Sequence, residues 1–217
     1  MADNYLENKF EELEMKAHRG TSRTRKHEGP SLDTLLHHNR STRGYDPSFP
    51  VGEDDLRDII KVNTLLASAG NAQTLRFRPV WKEGEVRAVN SLVRMGGALP
   101  QLHLPFPGTE PPAFIIICTT ASKDSKMVYI DLGISFQGMS LRAVEKGLRC
   151  LMIESFDAKE LTASLSLPFC PIGVLAVGKG AESIFLMPAT EGESLKYYRK
   201  DGVHYVPKLS LESILIK

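Results

Sequence analysis

The chain is short of the features that most directly announce a function. It carries three cysteines in 217 residues, and Cys118, Cys150 and Cys170 form neither a CxxC pair nor a Cys/His ligand spacing. An odd, scattered set of thiols argues against a disulfide framework or a metal site. It fits buried free cysteines in a reducing compartment. Neither sign of charge is in excess, with 27 Lys+Arg against 26 Asp+Glu, so no net field recruits nucleic acid or an acidic membrane. No apolar run approaches the ~20 residues of a membrane helix. The leading MADNYLENKFEELEMK is acidic and has no apolar signal core, which argues against export or organelle import. A cytoplasmic protein without membrane or nucleic-acid partners is expected.

What is present is ordinary for a globular chain: 42% hydrophobic, 24% charged, 17 Gly and 13 Pro. This length can bury one substantial core without requiring two domains. Leu6, Phe10, Leu13 and Ala17 repeat at helical spacing. The basic KAHRGTSRTRKHEGP then reads as a connector, because no aromatics interleave its charges to stack bases. Residues 1–30 are therefore set apart from a domain spanning 31–217. Leu32, Leu35 and Leu36 predict a short helix. Glu53, Asp54 and Asp55 then open a second, where acids favour the positive dipole end. Residues 77–81 (FRPVW) suit an edge strand because of Pro79, and 90–112 read as loop. Ala113 to Cys118 is a continuous apolar run, the pattern of a strand buried on both faces. A long helix over about 126–146 is apolar on nearly every side, with Gly133 and Gly138 inside it and Gly147 as its C-cap. Strands follow at 149–153 and 172–177, with a capping box at Asp157–Glu160 between them, and a strand-like stretch lies at 204–206. Without a regular βαβ repeat, the fold class is α+β with one sheet.

Two segments carry chemistry. Asn39-Arg40-Ser41-Thr42-Arg43-Gly44-Tyr45 places two guanidiniums and two hydroxyls within four residues, which suits a phosphate. Ala67-Ser68-Ala69-Gly70-Asn71-Ala72-Gln73 combines exposed backbone with two carboxamides, which suits the edge of a heterocycle. Taken alone, the first also reads as a surface basic loop and the second as a helix end followed by a turn.

Together the segments resemble the paired N-terminal motifs of the FMN-dependent nitroreductase family. Later stretches are similar in order and spacing: the long helix, then Gly147-Leu148 and a strand leading into Ile153-Glu154-Ser155-Phe156-Asp157; the strand ending at Gly178; and Val206-Pro207-Lys208 with Ser210. The resemblance runs from about residue 31 to 213. It implies a nitroreductase-like fold, with a central mixed or antiparallel sheet flanked by helices, in an intertwined homodimer. Arg40, Ser41, Thr42 and Arg43 would hold the FMN phosphate and ribityl chain, helped by Lys208 and Ser210. Ile153, Glu154 and Ser155 would lie against the isoalloxazine. Ser68 and Asn71 would come from the other subunit, with Gln73 supporting their loop. Asn39, Ala67, Thr74-Leu75, Ser155 and Ser210 depart from the family pattern, and a serine at 155 requires a negative φ. The implied activity is reduction of a nitroaromatic, a quinone or a similar acceptor by NADH or NADPH through bound FMN, with ping-pong kinetics. No side chain need act as acid or base, so no catalytic residue and no metal ligand are nominated. The alternative is a flavin-binding sensor or scaffold of the same fold without turnover.

Overall fold

The computed structural model describes residues 29–216. The helix and most of the linker expected over residues 1–30 lie outside the described residues. From Leu32 onward the chain forms a compact unit.

Helix α1 (Leu32–His38) follows Pro30, and α2 (Glu53–Lys61) begins where the sequence puts its acids. The Asp55 carboxylate accepts from the Gly52 N–H at 3.2 Å, so the first turn is capped from within. Strand β1 (Leu75–Val80), helix α3 (Glu83–Leu92), strand β2 (Ala113–Thr119) and helix α4 (Lys126–Glu145) come next. They are followed by β3 (Arg149–Ile153), α5 (Ala158–Leu165) and β4 (Cys170–Gly178). The four strands form one antiparallel sheet in the order β1-β2-β4-β3. Pro79 sits on its edge strand β1, where a missing N–H costs no ladder bond.

The continuous apolar runs become the two central strands because the sheet is covered on both sides. All seven residues of β2 are buried. Ala113, Ile115 and Ile117 join a core with Leu56 and Ile59 of α2 and Leu132, Phe136 and Met139 of α4. Phe114, Ile116 and Cys118 point the other way, into a core with Val86 and Val89 of α3 and Leu161 and Leu165 of α5. The two-residue period of a strand thus feeds two helical layers from one run. Against α4 the neighbouring strand β4 comes unusually close. A Cβ at Gly173 would lie 2.7 Å from the Phe136 ring, so only glycine fits there. Gly147, at φ +76°, ends the turn after α4.

After β4 the chain builds a second sheet, whereas the sequence reading expects a single sheet. Strands β5 (Ser183–Ala189), β6 (Tyr198–Lys200) and β7 (Val203–Leu209) are ordered β5-β7-β6, with β5 and β7 parallel. Only 204–206 alternate clearly enough to be foreseen. β5 has no clean apolar face, and its Phe185 is exposed. A short helix α6 (Leu211–Ile214) closes the described chain. The thiols also differ from expectation. Cys118 and Cys150 are buried, but Cys170 is exposed at the start of β4. No helix among the described residues is long and apolar enough to cross a membrane.

Candidate functional site

The segment after α1 runs along the free edge of β3. Ser41 forms a parallel bridge with Cys150, and the Thr42 N–H donates to the Cys150 carbonyl at 3.1 Å. An extended backbone sends alternate side chains to opposite sides. Ser41 is exposed, and Asn39 reaches Gln137 of α4 at 3.5 Å. Thr42 is buried; its hydroxyl donates to the Arg40 carbonyl at 3.2 Å, and its own carbonyl accepts from the buried Tyr45 hydroxyl at 2.9 Å. Arg40 donates to the Leu36 carbonyl at 2.6 Å, and burial holds its guanidinium below the ordinary value. The four residues taken together in the sequence therefore divide. Ser41 and Arg43 make no contact with the cavity lined by Arg40 and Thr42.

Arg43 turns toward the second sheet. Its guanidinium lies 4.8 Å from the centre of the Tyr197 ring, and Nη2 donates to the Tyr197 hydroxyl at 3.4 Å. Its backbone N–H donates to Glu182, whose other oxygen pairs with Arg199 at 3.1 Å. His204 packs against Tyr197, with ring centres 5.0 Å apart and planes tilted by 34°, and is 2% exposed. Desolvation first, then the neighbouring Arg43, pushes its pKa down, which favours the neutral imidazole. Neither His204 ring nitrogen has a partner among the described residues, nor has Arg43 Nε. The sequence reading missed Glu182, Tyr197, Arg199 and His204. Arg199 lies within the Tyr197-Tyr198-Arg199-Lys200 stretch, a signal passed over because the charge of Lys208 lay in a better-matched stretch.

Lys208 and Ser210 are not brought to this cluster. Lys208 lies on β7 four residues beyond His204, about 13 Å at a strand's rise, and Ser210 lies six residues beyond it, just past the strand's end. Lys208 pairs with Pro188 across the sheet, and Ser210 caps α6, where it accepts from the Ser213 N–H at 3.3 Å.

Ile153 ends β3 and Glu154 and Ser155 follow it, three to five residues past the Ser41 bridge, about 10–16 Å at a strand's rise. Ile153 is buried, whereas Glu154 and Ser155 are exposed. The Ser155 carbonyl accepts from the Arg94 N–H at 2.9 Å. Its own N–H has no acceptor among the described residues. Ser155 is not among the residues of positive φ, so its side chain costs no strain.

Ser68 and Asn71 belong to a turn that leads into β1, at the opposite edge of the sheet. The Ala69 N–H donates to the buried Asp131 carboxylate at 2.9 Å, which ties the turn to α4. Gln73 donates to the Asn71 side chain at 3.1 Å, and its N–H donates to the Ser68 hydroxyl at 3.2 Å. Asn71 and Gln73 both have left-handed backbone, at φ 53° and 47°, which costs energy unless the turn is held. Three inter-strand spacings, about 14 Å, separate this edge from β3. A cleft of about 520 Å³ opens beside the turn, lined by Ser68, Gln73, Asp131 and Ile134 among others.

An antiparallel four-stranded sheet between helical layers, with a hydroxyl-and-arginine segment on its β3 edge, defines an α+β domain with a polar cradle at the sheet margin. The Nitroreductase family model matches residues 36–179, and the chain belongs to that family. Solved structures agree in fold. A nitroreductase family protein from Streptococcus pneumoniae TIGR4 is 18% identical with a TM-score of 0.61, covering 86% of this chain and 100% of its own. A structure described as a nitroreductase in complex with FMN, from Exiguobacterium sibiricum 255-15, is 14% identical with a TM-score of 0.59, covering 71% and 90%. An FMN- and NADPH-dependent nitroreductase from Sphigopyxis sp. strain HMH is 18% identical with a TM-score of 0.58, covering 70% and 89%. Among curated proteins nothing matches.

Proposed function

We propose that the protein is an FMN-dependent oxidoreductase that takes electrons from NADH or NADPH and delivers them to a nitroaromatic, a quinone or a similar acceptor. The observation that carries this reading is the extended segment bridged to β3. It presents the Ser41 hydroxyl and the Arg43 guanidinium upstream of the β3 end, where the Ser155 N–H has no acceptor. The spacing of about 10–16 Å along the strand suits a long ligand with a phosphate at one end and a ring at the other. Arg43 Nε, buried without a partner, is a donor that a phosphate oxygen satisfies.

In this reading Ser41 and Arg43 hold the phosphate, and Arg199 adds the charge that the sequence reading drew from Lys208. Bound FMN supplies the hydride-accepting and hydride-donating chemistry, and the protein binds, orients and tunes it. The Ser155 N–H, directed at the ring edge, favours the more electron-rich form by hydrogen bonding. Ser68 and Asn71 lie too far across the sheet to reach the same ring in one chain. A second copy delivers them, and the site is composite. The exposed apolar face of α4, with Met127, Ile130 and Ile134, and the 86% exposed Leu65 beside it support a homodimer. Donor and acceptor share one face of the ring, so they bind in turn and kinetics are ping-pong.

The test is spectroscopic. Purified protein mixed with FMN should show a perturbed flavin spectrum. Anaerobic NADH or NADPH should bleach it, and a quinone should restore it. Flavin that binds but is not bleached by either nucleotide would replace this reading with a redox-silent flavin binder. Initial rates should give parallel reciprocal lines, whereas intersecting lines would overturn the ping-pong order.

A further inference from the structure

Behind the 39–43 segment lies a cavity of about 280 Å³ that the flavin reading does not use. Its lining includes Arg40, Arg149, Lys179, Glu182, His37 and His38. Three of these are cations, and none forms an ion pair among the described residues. Arg40 donates to the Leu36 carbonyl at 2.6 Å, Arg149 to the Leu148 carbonyl at 2.9 Å, and Lys179 to the Gly147 carbonyl at 3.3 Å. Carbonyls solvate a cation without neutralising it. Arg40 Nε is buried with no acceptor among the described residues. Burial lowers the pKa of both Arg40 and Arg149, as expected of guanidiniums set apart from water without an acid to balance them.

The carboxylate of the lining is already engaged. Glu182 accepts from the Arg43 N–H with one oxygen and pairs with Arg199 at 3.1 Å with the other. Asp46, the acid that senses Lys179, is held by Ser48 through a hydroxyl donor at 2.6 Å and a backbone N–H at 2.9 Å. The cavity therefore keeps a net positive lining with two guanidinium forks and an ammonium. Guanidiniums favour planar, paired donation to oxyanions. The volume falls just below the usual range of ligand pockets and admits a phosphate on a small carrier more readily than a nucleotide.

We propose that this cavity binds the phosphate group of a small molecule, as inorganic phosphate or a simple phosphomonoester, on the opposite side of the 39–43 segment from Ser41 and Arg43. The proposal does not rest on the flavin reading, which as proposed holds the phosphate by Ser41, Arg43 and Arg199, and none of these lines the cavity.

The test is calorimetric titration of the full chain, saturated with FMN, using inorganic phosphate in one arm and glycerol 3-phosphate in the other. Both should bind saturably, and the tighter of the two identifies the source of the phosphate. Lys179→Glu, at an exposed position that leaves the fold untouched, should weaken binding at least tenfold, and so should Arg149→Gln. Lys200→Glu makes the same change in net charge away from the cavity and should leave binding within twofold of the parent. If the chain takes up no FMN, the same series is run on the flavin-free chain carrying Arg43→Ala, and the Lys179→Glu loss is still expected. No saturable binding, or equal binding by Lys179→Glu and the parent, overturns the proposal.

Discussion

At the scale of single residues, the site is a question of where each polar atom finds a partner. Arg43 stacks on Tyr197, and its Nε is unsatisfied among the described residues. A phosphate oxygen would complete it. Arg43→Ala should therefore weaken FMN binding by roughly 1.5–3 kcal/mol, the scale of a hydrogen bond to a charged group. A flavin titration of the folded variant reads this, and unchanged affinity would remove Arg43 from the cradle. The thiols give a second residue-scale prediction. Burial pushes the Cys150 thiol up to about 12 and the Cys118 thiol up to about 11. Both then stay protonated and shielded at neutral pH, and the thiolate is the reactive form. Exposed Cys170 should alkylate readily in the native protein, the other two only after unfolding. Mass spectrometry of the labelled chain should find one modified cysteine before denaturation and three after. Two rapid modifications in the native state would contradict the buried placement.

Elements tell how much could be read in advance. β3 and α4 were legible nearly to the residue, because each is bounded by its own signals: a largely apolar pattern, a left-handed Gly147 and an Asp157 cap that accepts from the Glu160 N–H at 3.0 Å. α3 was not, although Val86 and Val89 mark its buried face, because two apolar positions in a charged decapeptide make a weak period. The tail sheet was missed for a related reason. Its strands bury little, and what draws them to Arg43 is an ionic and aromatic cluster that no periodicity encodes. The 39–43 motif was legible as chemistry but not as geometry, since nothing in its order says which side chains face which way until Ser41 bridges Cys150.

Elements also carry the main pH prediction. α2 and α4 are tied by Arg142, which donates to both Asp58 oxygens at 2.9 Å, with Lys146 at 3.4 Å from Asp58 and 3.3 Å from Asp55. The hydrogen bonds from Arg142 are the main reason the Asp58 carboxyl titrates below its usual range. A depressed folded pKa gives stability that is complete above the unfolded value and is lost as pH falls through the folded one. Arg142→Ala should cost about 1 kcal/mol at neutral pH, somewhat more than an isolated exposed pair because several charges share the network. Urea midpoints should show the gap between parent and variant narrowing as pH falls below the ordinary carboxylate range and closing only below the depressed folded pKa, where the carboxyl is protonated in both states. A gap that persists at acid pH would mean that Arg142 stabilises by packing its stem rather than by charge.

At the scale of the whole molecule, the decisive fact is that the two motifs lie on opposite edges of one sheet. Ser68 and Asn71 precede β1, whereas Ser41, Arg43 and Ser155 gather along β3, and the order β1-β2-β4-β3 puts two strands between them. No hinge within the sheet can close that gap without breaking the antiparallel ladders that hold the core. A single flavin touched by both motifs needs two chains, and a two-fold dimer then makes two such sites, each taking one motif from each chain. Sedimentation should accordingly find a dimer at micromolar concentration. The sharper test is complementation. One variant carries Ser41→Ala and Arg43→Ala, and the other carries Ser68→Ala and Asn71→Ala; each alone should lose flavin binding. Unfolded together and refolded at equal amounts, half of the dimers are mixed. Each mixed dimer has one site with all four changes and one with none, so about a quarter of the parental sites should return. Were each site built within one chain, every site in the mixture would carry a defect and nothing would be regained. Recovery of flavin binding near that fraction would assign the two motifs to different subunits, and its absence would return them to a single chain.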